Sequence, residues 1–403
     1  MTDRLYYNDA FLREFEATVT AVEPRGDRVG VALDRTAFYP TSGGQPFDAG
    51  TLGPWRVVDV VDDNGGTIAH IVEGGTPRVG DRVHGAIDWA RRFDHMQQHT
   101  GQHVLSAAFA RLFKVRTVSF HLGSDVSTID LAREVTPDEM TAAEDEANRI
   151  VWEDRPVAIR FVSAEEASRL ALRKEPVRGG TLRLIDVDGF DLSACGGTHV
   201  SRTGAVGVIA TVSWERFKGG QRIEFVCGSR ALRRFRLLRN TVAAGVRLLS
   251  VLPEDLGPSI ERLQSDAREQ KRTLSATQAE LARYRASELV ASAEPLGPGP
   301  QAAVRAVLRA IDTDASGLKS LALAASSTPG CMIVLVSASR PCLVVVARSN
   351  DVSIAANQVI AGLTARFGGR GGGKPELAQA GGLEGSPDDI LAAALADLKI
   401  ARR

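Results

Sequence analysis

The chain has 403 residues, enough for two to four domains that each bury a core. Its 49 basic and 49 acidic residues cancel, so bulk charge selects no polyanionic partner and any nucleic-acid surface must be local. The four cysteines, Cys195, Cys227, Cys331 and Cys342, are scattered without disulfide-framework spacing, which excludes a disulfide scaffold and suits a reducing cytoplasm.

The N-terminal stretch is interrupted by Asp3, Arg4, Asp9 and Glu14 and does not read as a signal peptide. No apolar run approaches the roughly eighteen residues that a membrane helix needs, so a cytoplasmic protein without a membrane partner is expected. Residues 1–93 read as a small antiparallel β-barrel. Val29, Val31 and Leu33 alternate, as do Val83, Gly85 and Ile87, with turn signals at Pro24–Asp27, Asp63–Gly66 and Gly74–Gly75. Alternation does not explain the segment Asp34–Gln45, with sequence DRTAFYPTSGGQ.

Residues 94–228 read as an α+β domain. Helices are expected at 95–113, 137–151 and 164–172, and strands at 157–162, 181–187, 206–213 and 221–227. His99 and His103 stand four apart in the first helix, a spacing that stacks two imidazoles on one face. Cys195 and His199 are also four apart, but Gly196 and Gly197 between them predict a tight turn. A loop folded over a helix would bring all four to one zinc ion per chain, since histidine and cysteine are the commonest zinc ligands. A zincin protease would need glutamate directly after His99, and that residue is Thr100.

Residues 229–293 carry no strand pattern and read as a helical linker. Arg230, Arg233, Arg234, Arg236, Arg239 and Arg247 crowd its first part, a face open to solvent or to nucleic-acid phosphates. Ile260, Leu263, Ala267, Leu274 and Leu281 form an imperfect heptad seam able to pair two chains. Residues 294–403 read as an α/β domain, with strands at 332–336 and 343–347 and helices near 301–311, 353–367 and 388–401. A glycine-rich loop is expected at 368–382, presenting backbone amides together with Arg370 and Lys374. No histidine follows His199, which excludes a histidine-rich phosphoesterase centre in this last region.

The order of these motifs resembles the alanyl-tRNA editing proteins, freestanding relatives of the editing and C-terminal regions of alanyl-tRNA synthetase. Thr36–Tyr39 followed by Gly43, Gly44 and Gln45 resembles the family's barrel signature, and Asp191–His199, with sequence DLSACGGTH, is similar to half of its zinc constellation. The resemblance covers nearly the whole chain and implies a long form with a C-terminal domain. It implies a multidomain α+β protein that hydrolyses tRNA(Ala) mischarged with serine or glycine, with a homodimer formed through the helical linker or the C-terminal domain. Because the barrel begins within about twenty residues of Met1, the chain is not expected to activate alanine.

Under this resemblance Thr36 is the candidate contact to a serine hydroxyl, Gln45 shapes the pocket, and Gly43 and Gly44 line it. Asp191 is expected to orient a ligand histidine as a neighbouring acceptor. Arg233, Arg234, Arg236, Arg370 and Lys374 are the candidates for tRNA contact. Four protein ligands would close a tetrahedral zinc site, so His99, His103 and Cys195 are read as constant ligands and His199 as the one whose role varies. The alternative is a tRNA-binding module whose zinc is structural and which hydrolyses nothing.

Overall fold

A computed structural model of the chain describes residues 1–63, 66–173, 180–297 and 304–401. They form two compact units, Met1–Gly245 and Val246–Arg403. Among the described residues no helix is long and apolar enough to cross a membrane.

The first unit opens with a closed six-stranded barrel. Its strands run Glu14–Arg25, Arg28–Leu33, Ile68–Glu73, Trp55–Asp62, Gly50–Leu52 and Arg82–Ile87 around the barrel, and the last returns to pair with the first. Every ladder is antiparallel. Alternation drives Phe15, Ala17 and Val19 inward from the first strand, where they meet Val31, Leu33 and Phe38. Closure leaves no sheet edge exposed along the barrel wall.

Helix α1, Trp89–Phe113, follows directly and is the axis of the middle region. It begins earlier than periodicity predicts, because the Asp88 side chain caps it by accepting from Arg91 N at 3.1 Å. His95 to Phe109 are all buried, polar and apolar faces alike. Helix α2, Pro137–Trp152, packs beside it and starts at a capping box formed by Thr136 and Glu139. Helix α3 covers only Ala164–Ser168, shorter than expected.

Two sheets flank α1. One runs Ile209–Phe217, Gly220–Cys227, Ser127–Leu131, Thr117–Leu122, and the other Val157–Val162, Leu182–Val187, Asp191–Ala194. The strand expected at 206–213 starts at Ile209, since Thr203–Val206 forms a short 3-10 turn. Helix α4, Ser229–Leu249, leaves from the end of the first sheet.

In the second unit helix α5, Leu256–Ala291, leads to a six-stranded sheet and to helices α6, Ala315–Ser326, α7, Ala356–Phe367, and α8, Pro387–Ala401. Sheet order is Glu294–Pro295, Arg305–Ile311, Cys331–Ser337, Cys342–Arg348, Leu377–Leu383, Arg370–Gly373. One pair is parallel, Arg305–Ile311 with Cys331–Ser337, and the rest are antiparallel. The central strands Cys331–Ser337 and Cys342–Arg348 are buried on both faces, by α7 and α8 on one and by α6 and the end of α5 on the other.

Two expectations are corrected here. The segment near 301–311 is not a helix: residues 301–303 lie outside the described residues, and Arg305–Ile311 is a strand. Ala306 and Leu308 face one core while Val307 and Ile311 face the other, and a strand covered on both sides places Val304, Val307, Leu308 and Ile311 at the i, i+3, i+4, i+7 spacing of a helix face. The glycine-rich stretch is not a loop either. Arg370–Gly373 pairs with Leu377–Leu383 as a hairpin at the sheet edge, and a Cβ on Gly371 would lie 2.4 Å from Gln379 O. Glycine permits that backbone approach.

Candidate metal centre

The sequence supplies three histidines and one cysteine from two segments, and the fold brings them together. His99 and His103 project from one face of α1, and Cys195 follows the strand Asp191–Ala194 directly. His199 lies four residues on, after the Gly196–Gly197 turn. One ligand atom from each of the four lies within 4.8 Å of every other. Three of these residues are buried and Cys195 is half-buried. Gly197 is required here, since a Cβ at this position would lie 2.1 Å from His99 Cε1.

Hydrogen bonds fix which ring nitrogen faces inward. Gln45 Oε1 lies 2.7 Å from His99 Nδ1, and Asp191 Oδ2 lies 3.0 Å from His103 Nδ1. An amide oxygen and a carboxylate only accept, so both Nδ1 atoms carry protons and both Nε2 atoms keep lone pairs for the cluster. His199 Nδ1 lies 3.2 Å from Thr100 Oγ1, which also accepts from Val200 N. The Nε2 atoms of His99 and His199 each lie 3.3 Å from Cys195 Sγ. Burial alone would raise the Cys195 thiol, but the imidazoles of His99 and His199 overcome it and hold the thiol well below its ordinary value. Burial, then the neighbouring His99, lowers His199 to about 3.

Outer contacts tie the cluster to both flanks. Asp191 accepts from Arg173 Nε at 2.6 Å and from the Ser193 hydroxyl, and despite burial the His103 hydrogen bond and the Arg173 charge hold its carboxyl low. Arg183, buried, donates to Cys195 O at 2.7 Å and Gly197 O at 3.0 Å and so shapes the turn. Gln45 also accepts from Thr198 N and donates to Thr198 Oγ1 at 2.8 Å, which locks its amide. Gly43 and Gly44 adopt positive φ, 53° and 84°, in a tight turn whose Gly44 O accepts from Leu122 N. That turn lies against Phe120, whose ring sits 5.4 Å from the His99 ring.

Thr36 lies in the short strand Arg35–Thr36, which pairs with Asp3–Arg4 outside the barrel ladder. It is fully buried, its Oγ1 lies 2.8 Å from His70 Nε2, and it accepts from Phe38 N at 3.1 Å. Because His70 Nδ1 donates to Val31 O at 2.9 Å, Nε2 is the acceptor and the Thr36 proton is spent on it.

A small cleft of about 50 Å³ opens beside His103 and Cys195. Gln102, Thr117, Ser119, Phe120, Arg173 and Ser193 line it, and none was signalled by spacing or composition. Position in the chain does carry one hint, since Gln102 sits directly between the ligand pair's members on α1.

The basic residues divide. Arg230 is buried in a bidentate pair with Asp94, with Nη2 at 2.6 Å, and serves the fold. Arg233, Arg234, Arg236, Arg370 and Lys374 are all exposed.

Residues 3–91 match the family model described as tRNA synthetases class II (A), and residues 182–224 match that of the threonyl and alanyl tRNA synthetase second additional domain. Over 412 residues the chain is 31% identical to the alanyl-tRNA editing protein AlaX-L of Pyrococcus horikoshii, covering 99% of each chain. The chain belongs to the alanyl-tRNA editing protein family. It is also 34% identical to the alanine-tRNA ligase of Pyrococcus abyssi and 35% identical to that of Methanoregula boonei. The chain spans 42% of the length of each of these two ligases. Within the family match, the additional-domain model ends before Cys227 and contains Cys195 and His199, while His99 and His103 lie between the two matched segments.

Proposed function

We propose that this chain hydrolyses the ester of tRNA(Ala) mischarged with serine or glycine, at a zinc centre held by His99, His103, Cys195 and His199. The observation that carries this reading is the convergence of imidazole lone pairs and a thiolate beside a small cleft, with acceptors on the far ring nitrogens. Such outer acceptors are the usual support of metal-binding histidines. The donor set fits zinc: nitrogen and sulfur ligands on a tetrahedral ion lie about 3.6 Å apart, close to the 3.3 Å separations of His99 and His199 from Cys195. Family membership supports the substrate class. Zinc bound there would supply Lewis-acid polarisation of an ester carbonyl or acidify a water.

The protein's own groups do the positioning. Gln45 and Asp191 orient His99 and His103, and Arg183 holds the Cys195–Gly197 backbone. Among the described residues the carboxylate at the cluster, Asp191, is engaged by Arg173, His103 and Ser193, so it is assigned to orientation and not to proton abstraction. His199 is the ligand assigned a variable role, because its outer bond is the longest and ends on a neutral hydroxyl. Thr36 is assigned to holding His70 and the Phe38 backbone. Arg233, Arg234 and Arg236 on α4, with Arg370 and Lys374 on the edge hairpin, are assigned to tRNA phosphates. The exposed seam residues Ile260, Leu263, Leu274 and Leu281 on α5 support pairing of two chains, which sedimentation of the full chain tests.

The deciding experiment incubates the zinc-loaded full chain with tRNA(Ala) charged with serine, glycine or alanine and measures released amino acid. Serine or glycine is released, alanine is retained, and Cys195→Ala abolishes release. Esters that stay intact through prolonged incubation refute the reading. A structural zinc is favoured by the four protein donors alone. It predicts that Cys195→Ala loses the fold together with the metal, whereas the hydrolytic reading predicts loss of metal with circular dichroism retained.

A further inference from the structure

Serine exceeds alanine by one hydroxyl, so a site that cleaves the seryl ester and spares the alanyl ester cannot work by size. The smaller side chain always fits. Discrimination must come from a protein group that is left unpaired when the hydroxyl is missing. The cleft beside His103 and Cys195 contains one such group.

Most of its polar lining is already committed. Thr117 donates to Ser106 Oγ at 2.8 Å, Ser119 donates to Asp130, and Ser193 donates to Asp191. Arg173 is bidentate on Asp191. Gln102 donates through Nε2 to Ser106 Oγ at 2.9 Å. Its Oε1 is buried and has no partner, and among the described residues lining the cleft it is the one buried polar atom in that state. Gln102 as a whole is 2% exposed. A buried carbonyl oxygen without a donor is costly, and the cost disappears when a ligand supplies one.

We propose that Gln102 is the specificity-determining residue of this site: its Oε1 accepts a hydrogen bond from the side-chain hydroxyl of a seryl ester. Alanyl and glycyl esters offer no donor there. Serine is therefore the preferred substrate over glycine, and correctly charged alanine is spared although it is smaller. The inference rests on the deacylase reading for its substrate class, but not on turnover.

The test uses non-hydrolysable adenosine analogues carrying serine or alanine through a 3′-amide, titrated calorimetrically into the zinc-loaded full chain. The wild type binds the seryl analogue about 10- to 100-fold more tightly. Gln102→Met brings the two affinities to parity, Gln102→Glu keeps the preference because an acceptor remains, and Thr36→Val keeps it too. Equal binding by the wild type, a preference surviving in Gln102→Met, or its loss in Thr36→Val each overturns the proposal. If Gln102→Met loses its metal or its fold, the position of the analogue's hydroxyl in a crystal structure decides: beside Gln102 Oε1 it supports the proposal, elsewhere it overturns it. A chain that prefers the seryl analogue yet leaves seryl-tRNA intact sustains this inference and refutes the hydrolase reading.

Discussion

Gln45 Oε1 lies 2.7 Å from His99 Nδ1, joining a barrel turn to a helix across 54 residues of sequence. The same oxygen accepts from Thr198 N at 3.1 Å, so one amide aligns both ligand segments. Gln45→Leu should lower zinc affinity about 10- to 100-fold, the usual cost of losing an outer acceptor. Gln45→Glu, which keeps an acceptor, should recover most of it. Competition with a chromophoric chelator measures both.

A second link between barrel and helix is ionic. Arg92 on α1 is buried against Asp48 with Nε at 3.0 Å, and it also donates to Ala10 O and Ala37 O. Asp48 accepts in turn from Tyr39 N, so the pair pins the Ala37–Tyr39 segment to α1. Asp48→Ala leaves a buried guanidinium without its counter-charge and should cost about 3–5 kcal/mol. Adding Arg92→Met should return part of that loss. The four tryptophans, Trp55, Trp89, Trp152 and Trp214, all lie in the first unit, so their fluorescence during urea unfolding reports this unit alone.

His70 gives the barrel an acid sensitivity. Burial lowers it from 6.5 to about 4 in the folded chain, against its bond to Val31 O. Its folded value lies below its unfolded value, so the unfolded chain binds the extra proton between these two pH values. Stability from the neutral ring is therefore complete above pH 6.5 and lost as pH falls toward 4. The loss between pH 7 and pH 4.5 should be about 2–3 kcal/mol. His70→Gln should remove that component of the pH dependence, and tryptophan-monitored urea unfolding at both pH values measures the difference.

What the sequence disclosed follows from how locally each signal is written. His99 and His103 were legible because four-residue spacing on a helix has one geometric meaning, and Cys195 and His199 because two glycines announce a turn. Gln102 was not legible as a functional residue, since a glutamine between two ligands looks like any polar helix residue until the cleft beside it is formed. Arg230 read as part of a basic cluster, because its partner Asp94 is distant in sequence. Thr117–Leu122 and Ser127–Leu131 were missed as strands because their polar residues find partners across the sheet, as Ser119 does with Asp130. Arg370–Gly373 was missed because glycine weakens every strand signal while allowing the close hairpin.

The remaining basic residues of α4 separate charge from fold. Arg234 and Arg236 are exposed, and Arg233 reaches Asp94 only at 4.0 Å. Their removal should leave the tryptophan-monitored stability within about 0.5 kcal/mol, as for surface substitutions away from buried networks. If they meet tRNA phosphates, replacing all three with glutamine should weaken binding of every tRNA alike and flatten the dependence of log affinity on log salt. Each lost phosphate contact should reduce that slope by about 0.7–0.9. Filter binding of uncharged tRNA(Ala) and of an unrelated tRNA across a salt series measures the effect. An unchanged slope in the triple variant would move the tRNA surface away from α4, and the same series on Arg370→Gln with Lys374→Gln would then ask whether the edge hairpin carries it.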